Sequence, residues 1–282
     1  MLLTNYHTHT NFCDGVEIPE LYAREAVKQS LEVLGYSAHA PLPFPCSWTL
    51  PYEKYQDYLN AIRQLKQSYE GRLEILCGLE IDYIPGLWSK IREMLQPEQL
   101  DYFIGSIHFV DAFNDETPWS IDGSHEEFYK GWTEIFHKDS HSLVRKYFAY
   151  TRQMIRDMKP PVIGHLDKIK MQHKADCFIP ETDPVYKEEL LATVEEIAHF
   201  GGVVEINTRG VYRRGEPEFY PSQWLLKEMN RLNIPVIVNS DAHRPHEIVL
   251  LRTEALKQLK DAGYKSIRHF SAGKWIDEDI IV

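Results

Sequence analysis

Strand-like runs alternate with helix-like runs along the whole 282-residue chain, and that alternation constrains the fold more than any other feature. A parallel strand cannot be reached through a tight turn, so strand, helix, strand in repetition calls for parallel strands joined by crossover helices. The strand-like runs are Leu2–His7, Glu32–Ser37, Leu73–Leu79, Tyr102–Ile107, Val162–Gly164, Gly202–Ile206 and Pro235–Asn239. Helical runs fall at Pro19–Leu31, Tyr52–Tyr69, Glu126–His137, Ser142–Met158, Pro184–Phe200, Ser222–Leu232 and Glu247–Ala262. Seven strands with about as many helices predict an α/β fold, a (βα) barrel in a single domain spanning 1–282. An open doubly wound sheet is the alternative, but no Gly-rich dinucleotide loop follows the first strand. The segment from Asp111 to Lys159 is the least strand-like and reads as a loop and two helices, an excursion from the barrel.

Thirteen histidines make the composition informative, because imidazole is the commonest metal ligand. His7 and His9 sit at the end of the first strand, and side chains two apart on a strand point the same way, so both rings can meet one cation. His39 follows the second strand, Glu80 ends the third, His108 the fourth and His165 the fifth, while Asp241 and His243 follow the last. All fall on the C-terminal face, where barrels build their sites. Any one of them alone reads as a hydrogen-bonded core residue or a helix cap; six strand ends carrying His or carboxylate together predict a metal site. His125, His137, His141, His173, His199, His246 and His269 read as ordinary.

Imidazole and carboxylate without thiolate suit Zn, Mn or Fe, and the candidates are too many for one tetrahedral ion. Two or three divalent ions are expected, with Glu80 as the bridging carboxylate. Cys13, Cys46, Cys77 and Cys177 form no C-x-x-C pair and read as reduced thiols. A net charge of −11 argues against a nucleic-acid or anionic-membrane surface. The start of the chain shows no signal peptide, and no stretch approaches the roughly 20 apolar residues of a membrane span, so a cytoplasmic protein is expected.

These residues form six motifs: His7-Thr-His-Thr-Asn-Phe-Cys-Asp-Gly15, Gly35-Tyr-Ser-Ala-His-Ala40, Gly78-Leu-Glu-Ile-Asp82, Ser106-Ile-His108, Gly164-His165 and Asn239-Ser-Asp-Ala-His243. In this order and over almost the whole chain they resemble the PHP (polymerase and histidinol phosphatase) family. Glu205-Ile-Asn-Thr208 and Tyr220-Pro-Ser-Gln-Trp-Leu225 look like its histidinol-phosphate phosphatase branch. The resemblance implies a distorted seven-stranded barrel with a trinuclear metal centre. It implies one metal at His7, His9, Glu80 and Asp241, a second at Glu80, His108 and His165, and a third at His39 and His243 with Asp14, where some family members have a His. The implied activity is hydrolysis of L-histidinol phosphate in L-histidine biosynthesis, by a metal-activated hydroxide that attacks phosphorus.

Asp241 or His243 is the expected proton donor to the leaving oxygen. Phosphate needs organic cations, and the chain offers Arg209, Arg213 and Arg214 beyond the sixth strand, with Lys168 three residues past His165. Arg213, Arg209, Asn207, Lys168 and Ser106 are the expected contacts to a small phosphomonoester. The loops Leu42–Trp48 and Trp119–Asp122 could supply aromatic walls and a carboxylate. Competing readings are another small phosphoester hydrolase on the same centre, a nuclease, an amidohydrolase, and a metal-dependent binding subunit without catalysis.

Overall fold

The computed structural model describes residues 1–172 and 178–281. In chain order the elements begin with β1 (Thr4–Asn5), α1 (Pro19–Lys28), β2 (Val33–His39), α2 (Tyr55–Ser68), β3 (Glu74–Asp82), α3 (Trp88–Leu95) and β4 (Ile104–Ser106). The hairpin β5 (Phe109–Ala112) and β6 (Pro118–Ser120) follows, then α4 (His125–Glu134), α5 (Ser140–Met158) and β7 (Val162–Ile163). The remainder is α6 (Pro184–Phe200), β8 (Val203–Asn207), α7 (Arg209–Arg214), α8 (Gln223–Arg231), β9 (Val236–Asn239), α9 (Arg252–Asp261), β10 (Ser266–Ser271) and β11 (Lys274–Asp279).

Seven strands pair in the order β1-β2-β3-β4-β7-β8-β9, every pair parallel. Past β9 the chain returns to β1 through a parallel bridge between Thr8 and Ala242, with His9 N donating to Ala242 O at 2.8 Å and Ala242 N to His7 O at 3.0 Å. The sheet is therefore a nearly closed barrel, the architecture that the sequence favours over an open sheet.

Strand parity sorts the side chains. Val33, Leu76, Ile104, Val162, Val203 and Ile237 pack with Tyr6 and Tyr102 as one cluster inside the barrel, while Leu34, Ile75, Leu79, Ile163, Val204 and Val236 join the larger core beneath the helices. Two residues on from the inner apolar layer come Gly35 and Gly78. A Cβ on Gly35 would stand 2.3 Å from Tyr102 Oη and one on Gly78 2.6 Å from Tyr102 Cε1, so glycine at both positions makes room for the Tyr102 ring. Further along the same face lie His39, Glu80, Ser106 and Glu205, all buried.

The floor of the barrel is closed by the β10–β11 hairpin, which the sequence reading did not anticipate. Phe270 packs on the inner cluster and exchanges hydrogen bonds with the Tyr6 hydroxyl, and Arg252 donates to the carbonyls of Thr4 and Leu2. The cleft must then open at the other end.

Helix boundaries follow local chemistry. Asp183 caps α6 through Val185 N and Tyr186 N, Pro184 takes the first turn, and Gly201 ends it at φ 80°. The expected helix from Glu247 begins instead at Arg252, because Leu251 turns left-handed at φ 59°. The expected excursion shrinks: α5 is the crossover helix between β4 and β7, and only the β5–β6 hairpin and α4 leave the barrel plan. α4 starts at a capping box between Ser124 and Glu127. Cys13, Cys46 and Cys77 are free thiols. His173 and Cys177 lie outside the described residues. No helix among the described residues is long and apolar enough to cross a membrane.

Candidate metal centre

Six imidazoles converge at the C-terminal mouth of the barrel, five of them around the carboxylate of Glu80 and the sixth, His243, beside Asp14 and Asp241. Glu80, 1% exposed, places Oε2 at 3.0 Å from His39 Nδ1, 3.1 Å from His7 Nε2 and 3.5 Å from His9 Nε2. Its Oε1 lies 2.8 Å from His165 Nε2 and 3.7 Å from His108 Nε2. Asp241 Oδ1 lies 3.3 Å from His9 Nε2 and 3.7 Å from His7 Nε2. His243 Nε2 and Asp14 Oδ2 are 3.1 Å apart, with His9 and His39 beside Asp14.

Three groups of these residues could hold an ion: His7, His9 and Asp241; His39, Glu80 and His108; and His9, Asp14, His39 and His243. Every metal-ligand candidate of the sequence reading other than His165 falls in one of them, and His165 meets the same Glu80. The partition differs from that implied by the family: His39 reaches Glu80 as well as Asp14, and His9 faces both Asp241 and Asp14.

Buried donors without partners test whether these residues fit a cation. His7 Nε2, His9 Nε2, His39 Nδ1 and Asp241 Oδ1, which face carboxylate or imidazole atoms of the cluster at 3.0–3.7 Å, are buried and make no hydrogen bond. Such short nitrogen–oxygen separations cost free energy unless a proton or a metal ion lies between the paired lone pairs. The donor set fits divalent ions of the Zn, Mn or Fe type.

The far side of the rings is tied down. His7 Nδ1 lies 2.9 Å from Glu205 Oε2 and His108 Nδ1 2.9 Å from Asp82 Oδ1, the carboxylate–imidazole pairing that turns the other ring nitrogen toward a metal. Glu205 also accepts from His165 N, Asn207 Nδ2 and Asn239 Nδ2. Neither Asp82 nor Glu205 was assigned a role from sequence. Parity was the available signal, since Asp82 follows Glu80 by two and Glu205 precedes Asn207 by two.

Protonation follows the same arrangement. Burial pushes Glu80 and Asp241 up, yet the histidines around them hold both well below the carboxylate range, so they are ionised. Burial, with His243 and His39, holds His9 well below its ordinary value. Burial opposes a charge on His7, but Glu205, Asp241 and Glu80 raise it well above the usual range; a proton and a metal ion compete for that ring. His39 is likewise raised to about 9, against burial, by Glu80 and Asp14.

Above the cluster opens a cleft of about 940 Å³, lined among others by Trp48, Asp122, Lys168, Arg209, Arg213 and His243. Lys168 Nζ stands 2.7 Å from Asp122 Oδ2 and 3.2 Å from His108 Nε2. Trp48 sets its ring edge against His39 at 4.6 Å and stacks on Phe109, so the Leu42–Trp48 loop forms an aromatic wall. Arg213 is exposed on that lining, and Arg214 pairs with Asp122 at 3.2 Å.

Three expected phosphate contacts are engaged within the protein, although Asn207 and Arg209 also line the cleft. Ser106 does not line the cleft: its hydroxyl donates to Glu80 Oε1 at 2.6 Å, because strand parity turns it inward beside that carboxylate. Asn207 Nδ2 is committed to Glu205 and Asp241, and its Oδ1 accepts from Arg209 N. Arg209 lines the cleft but donates through NH1 to Asp241 O at 3.1 Å.

Fold and site together define a class: parallel (βα) barrels that carry a multi-histidine, carboxylate-bridged metal-ligand cluster where their strands end. A sequence profile of the PHP domain matches residues 5–209. The chain belongs to the PHP-domain family. It is 30% identical over 268 residues to a Deinococcus radiodurans protein named "Probable histidinol-phosphatase", covering 94% of this chain and 95% of that one. A Bacillus subtilis protein named histidinol-phosphatase is 27% identical, covering 86% and 94%. Among solved structures, the Lactococcus lactis histidinol phosphate phosphatase complexed with zinc, L-histidinol and phosphate superposes with a TM-score of 0.74 at 22% identity, covering 97% and 98%.

Proposed function

We propose that the chain is a metal-dependent phosphoric monoester hydrolase that converts L-histidinol phosphate to L-histidinol and phosphate, in the histidine biosynthesis of the cytoplasm. The observation that carries this reading is Glu80, set between His165 on one oxygen and His7 and His39 on the other, beneath a cleft that holds Lys168. The relatives of nearly the same length supply the substrate.

His7, His9, Asp241, Glu80, His108, His165, His39, His243 and Asp14 would hold two or three divalent ions. Such ions supply Lewis acidity toward phosphoryl oxygens and lower the pKa of water. Lys168 and Arg213 bind the phosphate. Burial opposes the charge on Lys168, but Asp122 raises its pKa, so the ammonium is present at neutral pH. Arg213 pairs with no carboxylate among the described residues. Trp48 and Phe109 exclude water from one side. His243, with Nδ1 at 3.1 Å from Asp241 O, is the proton donor to the leaving oxygen, because Asp241 is held ionised by the histidines around it. We read residues 1–282 as one domain, supported by a core cluster that runs from Tyr22 to Ile280. The acidic balance supports a small-molecule substrate over nucleic acid.

Steady-state phosphate release across L-histidinol phosphate, other phosphomonoesters and a dinucleotide tests the assignment. A kcat/KM at least about 10²-fold higher for L-histidinol phosphate is expected, the scale that pocket contacts give before buried hydrogen bonds add to it. Preference for another phosphomonoester or the dinucleotide would replace it with one of the competing readings.

A further inference from the structure

Asp241 is a non-glycine residue with φ 55°, in the left-handed region. Such a backbone is sparsely populated and persists where its surroundings over-determine it. Here the determinants are visible, and they come from α7. The Tyr212 hydroxyl lies 2.9 Å from Ser240 O and 3.2 Å from Asp241 O, the two carbonyls that flank Asp241. Arg209 NH1 donates to the same Asp241 O at 3.1 Å and stands 3.7 Å from Glu247 Oε2. Glu247 in turn accepts from His243 N at 2.8 Å and Arg244 N at 3.0 Å. On the side-chain end, Asn207 Nδ2 holds Asp241 Oδ2 at 3.1 Å, which leaves Oδ1 buried, without a hydrogen bond and facing His9 and His7.

We propose that Tyr212 and Arg209 are positioning residues: from α7 they clamp the carbonyls around Asp241 in the left-handed turn, and so aim its free carboxylate oxygen into the site. Arg209 then serves the ligand turn from the cleft lining, while Arg213, one turn further along the same short helix, keeps its guanidinium for substrate. Without the clamp the Ser240–Asp241 turn relaxes toward ordinary backbone, and Oδ1 swings away from His7 and His9. The proposal rests on Asp241 being a metal ligand.

Zinc affinity of the metal-stripped full-length chain, read by competition with a chromogenic chelator, is the test. Tyr212→Phe and Arg209→Met are expected to weaken the tightest zinc binding about tenfold or more, the usual effect of removing a group that orients a ligand. Arg209→Lys, which keeps a donor, loses less. The thermal midpoint of the metal-stripped variants separates this from a purely structural role. Unchanged zinc affinity with a lowered metal-free midpoint would overturn the positioning role, as would unchanged values of both. A wild-type chain that binds no zinc, manganese or iron would overturn the reading of Asp241 as a ligand and the proposal with it.

Discussion

His7 Nδ1 and Glu205 Oε2 lie 2.9 Å apart with both side chains fully buried, and this contact decides which nitrogen of His7 faces the cluster. With Nδ1 bound to the carboxylate, Nε2 points to Glu80 and Asp241. Glu205 is also the acceptor for the backbone N–H of His165, so one carboxylate sets two candidate ligands from different strands.

Glu205→Gln is the corresponding test. The amide keeps the volume but removes the charge that favours the required tautomer, and metal affinity is expected to fall about 10- to 100-fold. Metal content after dialysis against a weak chelator measures it; full retention by the variant would show that Glu205 is only a core hydrogen-bond partner.

The pH dependence of stability has a source far from the site. His269 is fully buried beside Thr4, and burial, then Arg252, lowers its pKa to about 4. The unfolded chain takes up this proton near pH 6.5, before the folded one does. The contribution is therefore fully present above about pH 6.5 and is lost as pH falls toward about 4, on the order of 3 kcal/mol at the end of that window. Urea unfolding of wild type and His269→Gln between pH 4 and 7 reads the difference, and parallel curves would contradict it.

Gly35 tests the inner packing. Its α-hydrogen faces Tyr102 Oη, where a methyl group would stand 2.3 Å away, and Tyr102 is itself fixed by hydrogen bonds to Tyr6 O and Tyr36 O. Gly35→Ala should cost about 1–3 kcal/mol of stability through overpacking. In a calorimeter the midpoint falls by several degrees; a midpoint equal to wild type would mean that the tyrosine yields.

The barrel was legible because the longer apolar runs, such as Leu73–Leu79, show their type, because short ones such as Val162–Gly164 fall in step with the strand–helix alternation, and because Gly and Pro mark the helix ends. Short pieces were not. β5 and β6 are strands of four and three residues with a register shift between Phe109 and Asp111, too short for any period to appear. α7 was missed because six residues starting Arg-Gly give no helical stripe. The ligand candidates stood out because strand ends concentrate them, whereas Ser106 and Asn207 could not be told apart from substrate contacts. Which neighbour a buried hydroxyl or amide finds depends on register across β3, β4 and β8, and the chain alone does not display register.

On the proposed function, phosphoester hydrolysis depends on ions held around Glu80. The direct measurement is phosphate release from L-histidinol phosphate by the chelator-stripped chain, before and after addition of zinc or manganese, with metal counted per chain. Loss of activity on stripping, and its return as two or three ions bind, is the predicted result. Activity that survives complete removal of metal would contradict it.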